Sequence, residues 1–291
     1  MDITKINSLI RLLDDPNEEI FREIEKALLK LKLEAVPHLE KTWDTANDEF
    51  LQSRIENIVH QIQFDHVKEE LGNWISTGAE DLLYGAYIVS KYHFPSLEFH
   101  WIEAQINEIR KDIWFELSDQ LTSLEKVKVV NHIMFDVYKF TRNNINIMSA
   151  DNNFINEVLL TKKGNPVSLS VIYSVVCQRL GLPIYGVNLP KNFILAYLDT
   201  GEATRLSLVQ GEVMFYINPI NKGAVLGRKE IEFFLKQQKL QPQPGYFLPI
   251  RSNEEIIKRM FNNLLYAYES ANDTLRVKEL SELMSMFSNF Y

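Results

Sequence analysis

Few side chains in this sequence could act as a nucleophile or as a general base. The 291 residues include a single cysteine, Cys177, and six histidines. A thiol becomes reactive when a base or a helix N-terminus lowers its pKa, and a serine hydroxyl needs a nearby base. No histidine follows residue 132, so the rest of the chain cannot supply an imidazole base. The histidines are His38, His60, His66, His93, His100 and His132.

Cys177 is a weak candidate for chemistry. Apolar spacing and a closing Gly-Leu-Pro predict a helix over 167–180, and Cys177 lies near its end. Because the helix dipole disfavours a thiolate at a C-terminus, we interpret Cys177 as a buried structural residue.

Ser168 and Ser170 lie in the first turn of the same predicted helix, where serine commonly caps backbone amides. The alternative is a serine nucleophile activated by a lysine or a histidine. His132 could approach from the helices that precede this one, although a packing role is more usual for such a residue. The lysines nearest in sequence are Lys162, Lys163 and Lys191.

Composition excludes several classes of ligand. The net charge is −8, which argues against binding nucleic acid or an anionic membrane surface. No segment approaches the ~20 apolar residues that span a bilayer. No histidine pair has the i, i+4 spacing of a helical zinc site, and no glycine-rich phosphate loop is present. We therefore predict no metal, no cofactor, no nucleic-acid partner and, with one cysteine and no apolar signal segment, a cytoplasmic protein.

The hydrophobic pattern predicts helices at both ends of the chain and strands in between. Apolar residues recur at helical spacing up to about residue 140 and again after residue 250. The first two helix pairs resemble HEAT-type repeats, and the last two helices resemble one tetratricopeptide-like hairpin; ordinary helical packing is the alternative for each. Four β-rich segments separated by turns predict an antiparallel meander. They cover 184–189, 193–198, 205–209 and 213–217.

Five short sequence phrases surround the predicted helix 167–180. They are Asn-Glu-Val-Leu at 156–159, Gly-Asn-Pro-Val-Ser-Leu-Ser at 164–170, Arg-Leu-Gly-Leu-Pro at 179–183, Gly-Val-Asn-Leu-Pro at 186–190 and Ile-Asn-Pro-Ile-Asn at 217–221. Over residues 125–240 these phrases and their order resemble the SirB-type branch of the transglutaminase-like superfamily, which has a papain-like fold.

The resemblance implies a Cys-His-Asp site, but the matching positions have other residues. The cysteine position falls on Pro166, the histidine position on Asn192 and the aspartate position on Asn218. The two asparagines could hydrogen-bond to each other and keep a neutral polar network. Further residues expected near the groove are Ser168, Ser170, His132 and Asn156.

We predict an α+β fold, mostly helical, with a transglutaminase-like core in which the site helix packs on an antiparallel sheet. The expected parts are a HEAT-like region at 1–75, the core with its leading helices at 76–245, and a helical hairpin at 246–291. The predicted function is a non-catalytic protein- or peptide-binding scaffold. The alternatives are a cryptic acyl-transfer or peptidase enzyme using Ser168, and a small-molecule binder in the degenerate groove.

Overall fold

The computed structural model describes residues 3–199, 212–250 and 252–287. The chain divides into two compact units, Met1–Asn73 and Trp74–Tyr291. The division falls inside one long helix, Glu49–Ser76. The predicted three-part division at residues 75 and 245 stays a prediction.

The first unit is helical and has its own core. Asn17 begins the second helix, because its Oδ1 accepts the Glu19 N–H at 2.9 Å. Leu28, Leu39 and Ile58 are fully buried in this core. The likeness of these helices to HEAT-type repeats stays a prediction. The helices are α1 (Ile3–Ile10), α2 (Glu18–Lys30), α3 (Val36–Thr45) and α4 (Glu49–Ser76).

The second unit is built around one central helix. Every residue from Val167 to Cys177 is buried, as expected for a helix that is apolar on all sides. A π-helical turn, His132–Val137, directly follows the helix Ser123–Asn131. The helices are α5 (Leu82–Lys91), α6 (Phe99–Glu116), α7 (Ser123–Asn131), α8 (Ile155–Thr161), the central α9 (Pro166–Gln178), α10 (Arg228–Gln237), α11 (Asn253–Ser270) and α12 (Thr274–Ser285).

The antiparallel meander is confirmed, with changes at its edges. A parallel pair of two-residue strands, and the last strand of the main sheet, were not expected. The predicted strand 205–209 lies outside the described residues. The short pair is β1 (Thr141–Arg142) and β2 (Lys163–Gly164); the main sheet, in spatial order, is β3 (Ile184–Val187), β4 (Ile194–Asp199), β5 (Glu212–Asn218) and β6 (Ala224–Leu226).

The sheet and the C-terminal hairpin both pack on α9. Helix α9 contacts β3 and β4, which confirms the predicted α+β arrangement of a site helix on an antiparallel sheet. Helix α11 packs on α5 and α9. It approaches α5 closely at Gly85, where an added Cβ would lie 2.8 Å from Ile257 Cγ1. None of the described helices combines the length and apolarity needed to cross a bilayer.

We expect His93 to make the stability of this unit depend on pH. Its ring stacks on Phe154 with centroids 5.0 Å apart, and its Nδ1 lies 3.5 Å from the Tyr268 hydroxyl. Burial, and then the charge of Arg276, lowers the pKa of His93 below its usual 6.5. The unfolded chain therefore binds this proton more tightly, so stability is full above the unfolded pKa and falls as the pH drops towards the folded one.

We expect the substitution His93→Gln to remove this part of the acid sensitivity. The measurement is urea denaturation of both proteins between about pH 7 and pH 5, where histidines titrate. The free energy of unfolding of the wild type should fall more steeply with decreasing pH than that of the variant. Parallel curves would show that His93 does not contribute.

Candidate functional site

The first turn of α9 satisfies its own backbone amides. Asn165 is the N-cap, and its Oδ1 accepts the Val167 and Ser168 N–H groups, each at 2.9 Å. Ser168 Oγ accepts the Asn165 N–H at 3.0 Å and donates to the Asn152 carbonyl at 2.6 Å. Pro166 occupies the first helical position, where a missing N–H costs nothing. The start of α9 is thus a closed capping box rather than an open anion site.

Neither serine of this turn has a base beside it. Both side chains are fully buried. The Ser168 hydroxyl is used in the cap, and Ser170 Oγ has no hydrogen-bond partner among the described residues. Within the described ranges, no lysine or histidine hydrogen-bonds to either hydroxyl. The structure therefore gives Ser168 the capping role that its position in the sequence indicates.

A cavity of about 300 Å³ opens beside the start of α9. Pro166 and Asn192 both line it, so two of the three positions inferred from the family belong to one cavity. One face of α11 also lines it, and the lining residues of that helix follow helical spacing. They are Arg259, Asn263, Tyr266 and Ala267.

The cavity wall is rich in amides and cations. Three cationic residues line it: Arg142, Lys191 and Arg259. The described residues of the lining include no cysteine, histidine, aspartate or glutamate. The wall can therefore hold a ligand by hydrogen bonds and charge, but it carries neither a thiol nor an imidazole. The six lining asparagines are Asn143, Asn152, Asn153, Asn165, Asn192 and Asn263.

Asn218 lies near this wall without lining the cavity. The pairing of Leu195 with Ile217 puts Asn218 beside Ile194, two residues from Asn192. Asn192 Oδ1 accepts the Phe193 N–H at 2.8 Å, whereas Asn218 Oδ1 is buried and has no hydrogen-bond partner among the residues described. In the described part of the chain no hydrogen bond joins the two amides, so the neutral network considered above does not form.

His132 and Asn156 lie away from the cavity lining. The His132 side chain is 56% exposed, and its Nδ1 is 3.5 Å from Asp136 Oδ2. Asn156 is buried in α8, with its Nδ2 donating to Glu157 Oε1 at 3.3 Å. Over 3–199, 212–250 and 252–287, no group of three or more His, Cys, Asp or Glu side chains is placed to hold a metal ion.

Sequence reasoning missed the contributions of α11 and of the loop at 142–149. Arg259 and Asn263 sit in a segment predicted to be a separate hairpin, and no motif marks them. Arg142 ends the two-residue strand β1, which is too short to show a pattern. Only their place in the tertiary structure brings them to the cavity.

Cys177 is buried at the far end of α9, and burial raises the pKa of its thiol. We expect iodoacetamide to leave the native protein unlabelled and to label one cysteine after denaturation, since the chain has only Cys177. The variant Pro166→Cys should gain one label in the native state, because position 166 lines the cavity at a helix N-terminus. Native labelling of the wild type would contradict this placement of Cys177.

Comparison with known proteins extends these observations. A family model described as the transglutaminase-like superfamily matches residues 100–262. F-box only protein 21 of Mus musculus is 26% identical over 208 residues, 64% of this chain but 32% of that protein. The chain thus spans about a third of that relative's length.

Two bacterial relatives match over larger shares of their own length. A UPF0162 protein of Xylella fastidiosa is 23% identical over 208 residues, 72% of this chain and 65% of the relative. Protein SirB1 of Salmonella typhimurium is 26% identical over 176 residues, 60% of this chain and 61% of the relative. No solved structure matches. The predicted resemblance to SirB-type proteins is confirmed.

Proposed function

The chain belongs to the transglutaminase-like superfamily, and we propose that it is a non-catalytic member that binds a protein or peptide segment in the cavity beside α9. The observation that carries the proposal is the chemistry of the cavity wall. This wall includes Pro166, to which the sequence resemblance assigns the family's cysteine position, and a proline has neither a nucleophilic atom nor an N–H to donate to an oxyanion. The resemblance assigns the histidine position to Asn192, whose amide cannot act as a general base at neutral pH.

The serine alternatives are weaker than the binding role. Ser168 Oγ donates to a backbone carbonyl at 2.6 Å, so its proton is not directed at a base. Ser149 lines the cavity, but its hydroxyl donates to Asp151 Oδ2 at 3.0 Å and accepts the Asp151 N–H at 3.3 Å. Both hydroxyls cap local turns. With no imidazole in the described lining, neither serine has the partner that acyl transfer requires.

A peptide is favoured by the mixture of amides and apolar groups around the cavity. Among the lining asparagines, the side-chain amide of Asn263 and the Nδ2 group of Asn192 are not used in hydrogen bonds between described residues, so they can bind the edge of an extended peptide backbone. Ile147, Met148 and Tyr266 line the cavity while about half of each side chain is exposed, so their apolar surface can cover side chains of a bound segment.

The test is a selection of random dodecapeptides displayed on phage, with one variant that fills the cavity and one that does not. Asn263→Trp places a large ring in the lining face of α11. Asn262→Trp is the matched control, because Asn262 is the exposed neighbour on the same helix and lies outside the lining. We expect peptides retained by the wild type to be retained by Asn262→Trp and lost by Asn263→Trp. Equal retention by both variants, or no enrichment at all, would contradict the proposal.

A small-molecule ligand is the second candidate, and the cavity volume favours it. About 300 Å³ is at the lower end of the roughly 300–1,000 Å³ typical of ligand pockets. Native mass spectrometry of the purified protein would then show a bound mass on the wild type and on Asn262→Trp, but not on Asn263→Trp. A ligand that stays bound to Asn263→Trp would exclude this cavity as its site.

A further inference from the structure

Building on the proposed binding role, we infer that the cavity beside α9 selects a peptide segment that carries a carboxylate, either on a side chain or at a chain terminus. The cavity combines three cations with a wall of amides in an otherwise acidic protein. Its apolar edge then receives the neighbouring side chains of the same segment.

The charges of the wall are uncompensated. Within the described residues, Arg142, Lys191 and Arg259 form no ion pair with a carboxylate. The chain as a whole carries a net charge of −8, so the positive charge of this cavity is opposite in sign to the net charge of the protein. A local positive potential attracts and orients an anionic ligand.

Arg259 is the lining cation that has a buried donor without a hydrogen-bond partner among the described residues. The donor is its Nε. Burial also lowers the pKa of this guanidinium below its usual value. An unpaired buried donor is unfavourable, and a carboxylate is the partner that a guanidinium binds through two parallel hydrogen bonds.

The backbone amides near the cavity, which could also attract an anion, already donate hydrogen bonds within the protein. The amides at the start of α9 are capped by Asn165, so they cannot bind a ligand directly. Asp151 adjoins the lining residue Asn152 in sequence, but it lies outside the lining and its Oδ2 accepts from Ser149. The selectivity for a carboxylate therefore depends on the three cations, and above all on Arg259.

The test uses side-chain amide signals of the protein labelled with ¹⁵N-asparagine, titrated with capped peptides. The probes are Ac-Ala-Leu-Xxx-Leu-Ala-NH₂ with Glu, Gln, Lys or phosphoserine in the centre. The Gln peptide with a free C-terminus and sodium acetate complete the set. We expect the Glu peptide or the free-terminus peptide to bind about tenfold more tightly than the amidated Gln peptide, as a charge-assisted pair would give.

Two variants identify the cations that act. Arg259→Gln should reduce the preference for the Glu peptide to about the level of the Gln peptide. Lys191→Gln, at an exposed position, should reduce it in part. Lys222→Gln removes the same unit charge at a site that is 77% exposed and outside the lining, and should change nothing.

The outcomes separate the inference from the proposed function. Equal binding of the Glu, Gln and Lys peptides at the cavity asparagines would overturn the carboxylate preference and leave peptide binding standing. Shifts with acetate alone would support the carboxylate preference and overturn peptide binding. Tightest binding by the phosphoserine peptide would overturn the choice of carboxylate, and no shift with any probe would overturn both.

Discussion

The variant Arg54→Ala is expected to lower the free energy of unfolding of the N-terminal unit by about 2–4 kcal/mol, because two backbone carbonyls lose a charged donor. Arg54 is a buried cation of α4 that binds the connection between α1 and α2. Its Nη1 donates to the carbonyls of Leu13 and Asp15, each at 2.8 Å, and its Nη2 donates to Glu18 Oε1 at 2.6 Å. Truncation would leave these carbonyls without their donor.

Two aromatic rings hold the same guanidinium from its faces. The Arg54 Cζ lies 3.9 Å from the Phe21 ring centroid and 4.1 Å from that of Phe50. Lysine cannot reproduce this stacking together with the two-pronged hydrogen bonding, so Arg54→Lys should also destabilise, by about 1–3 kcal/mol.

Urea denaturation monitored by circular dichroism measures both effects. Arg228→Ala is the matched control, because Arg228 also stacks on a phenylalanine, Phe247, at 4.3 Å and pairs with Glu232 at 3.1 Å, but its side chain is 62% exposed. We expect these exposed contacts of Arg228 to contribute less than about 1 kcal/mol to the free energy of unfolding. Equal losses for the two arginines would show that burial of Arg54 is not the cause.

Asn131→Ala should lower the free energy of unfolding of the C-terminal unit by about 2–4 kcal/mol. The reason is that the Asn131 side chain forms hydrogen bonds with two other parts of this unit. Asn131 Nδ2 donates to the Gly223 carbonyl at 2.8 Å, and its Oδ1 accepts from the Tyr173 hydroxyl at 2.9 Å. Tyr173 is fully buried in α9, so its hydroxyl would lose its partner in the variant.

A double-mutant cycle with Tyr173→Phe tests this network. The phenylalanine variant removes only the hydroxyl and should cost about 1 kcal/mol. Because the two changes break the same hydrogen bond, the double variant should lose less than the sum of the single losses. Gly223→Ala should destabilise as well, since Gly223 has φ +69° and an added Cβ would collide with the Asn131 side chain. Strict additivity in the cycle would contradict the proposed coupling.

The central elements were predictable because their signals are local. The Gly-Asn-Pro turn and the continuous apolar run of α9 predict a buried helix at 167–180, and the observed helix is Pro166–Gln178. Alternation and turns predict β3, β4 and β5 to within a few residues.

Elements that depend on tertiary packing were not predictable. Strand β6 has three residues and β1 has two, which is too short for a periodic pattern. The cavity itself depends on α11, which brings Arg259 and Asn263 into the same lining as Pro166 although they are more than ninety residues away in sequence. Three points stay predictions. They are the roles of Pro166, Asn192 and Asn218 as former catalytic positions, the two helical-repeat likenesses and the cytoplasmic location.

The most direct test of the central claim, that this cavity performs no acyl chemistry, is intact-mass analysis after treatment with a fluorophosphonate probe and with p-nitrophenyl acetate. The variant Pro166→Cys, treated with p-nitrophenyl acetate, is the positive control for detecting an acyl group at this position. We predict no stoichiometric adduct on the wild type with either reagent, and ester hydrolysis no faster than with the cavity-filled variant Asn263→Trp. A stoichiometric adduct mapped to Ser149 or Ser168, abolished by Asn263→Trp but not by Asn262→Trp, would contradict the account and identify an enzyme.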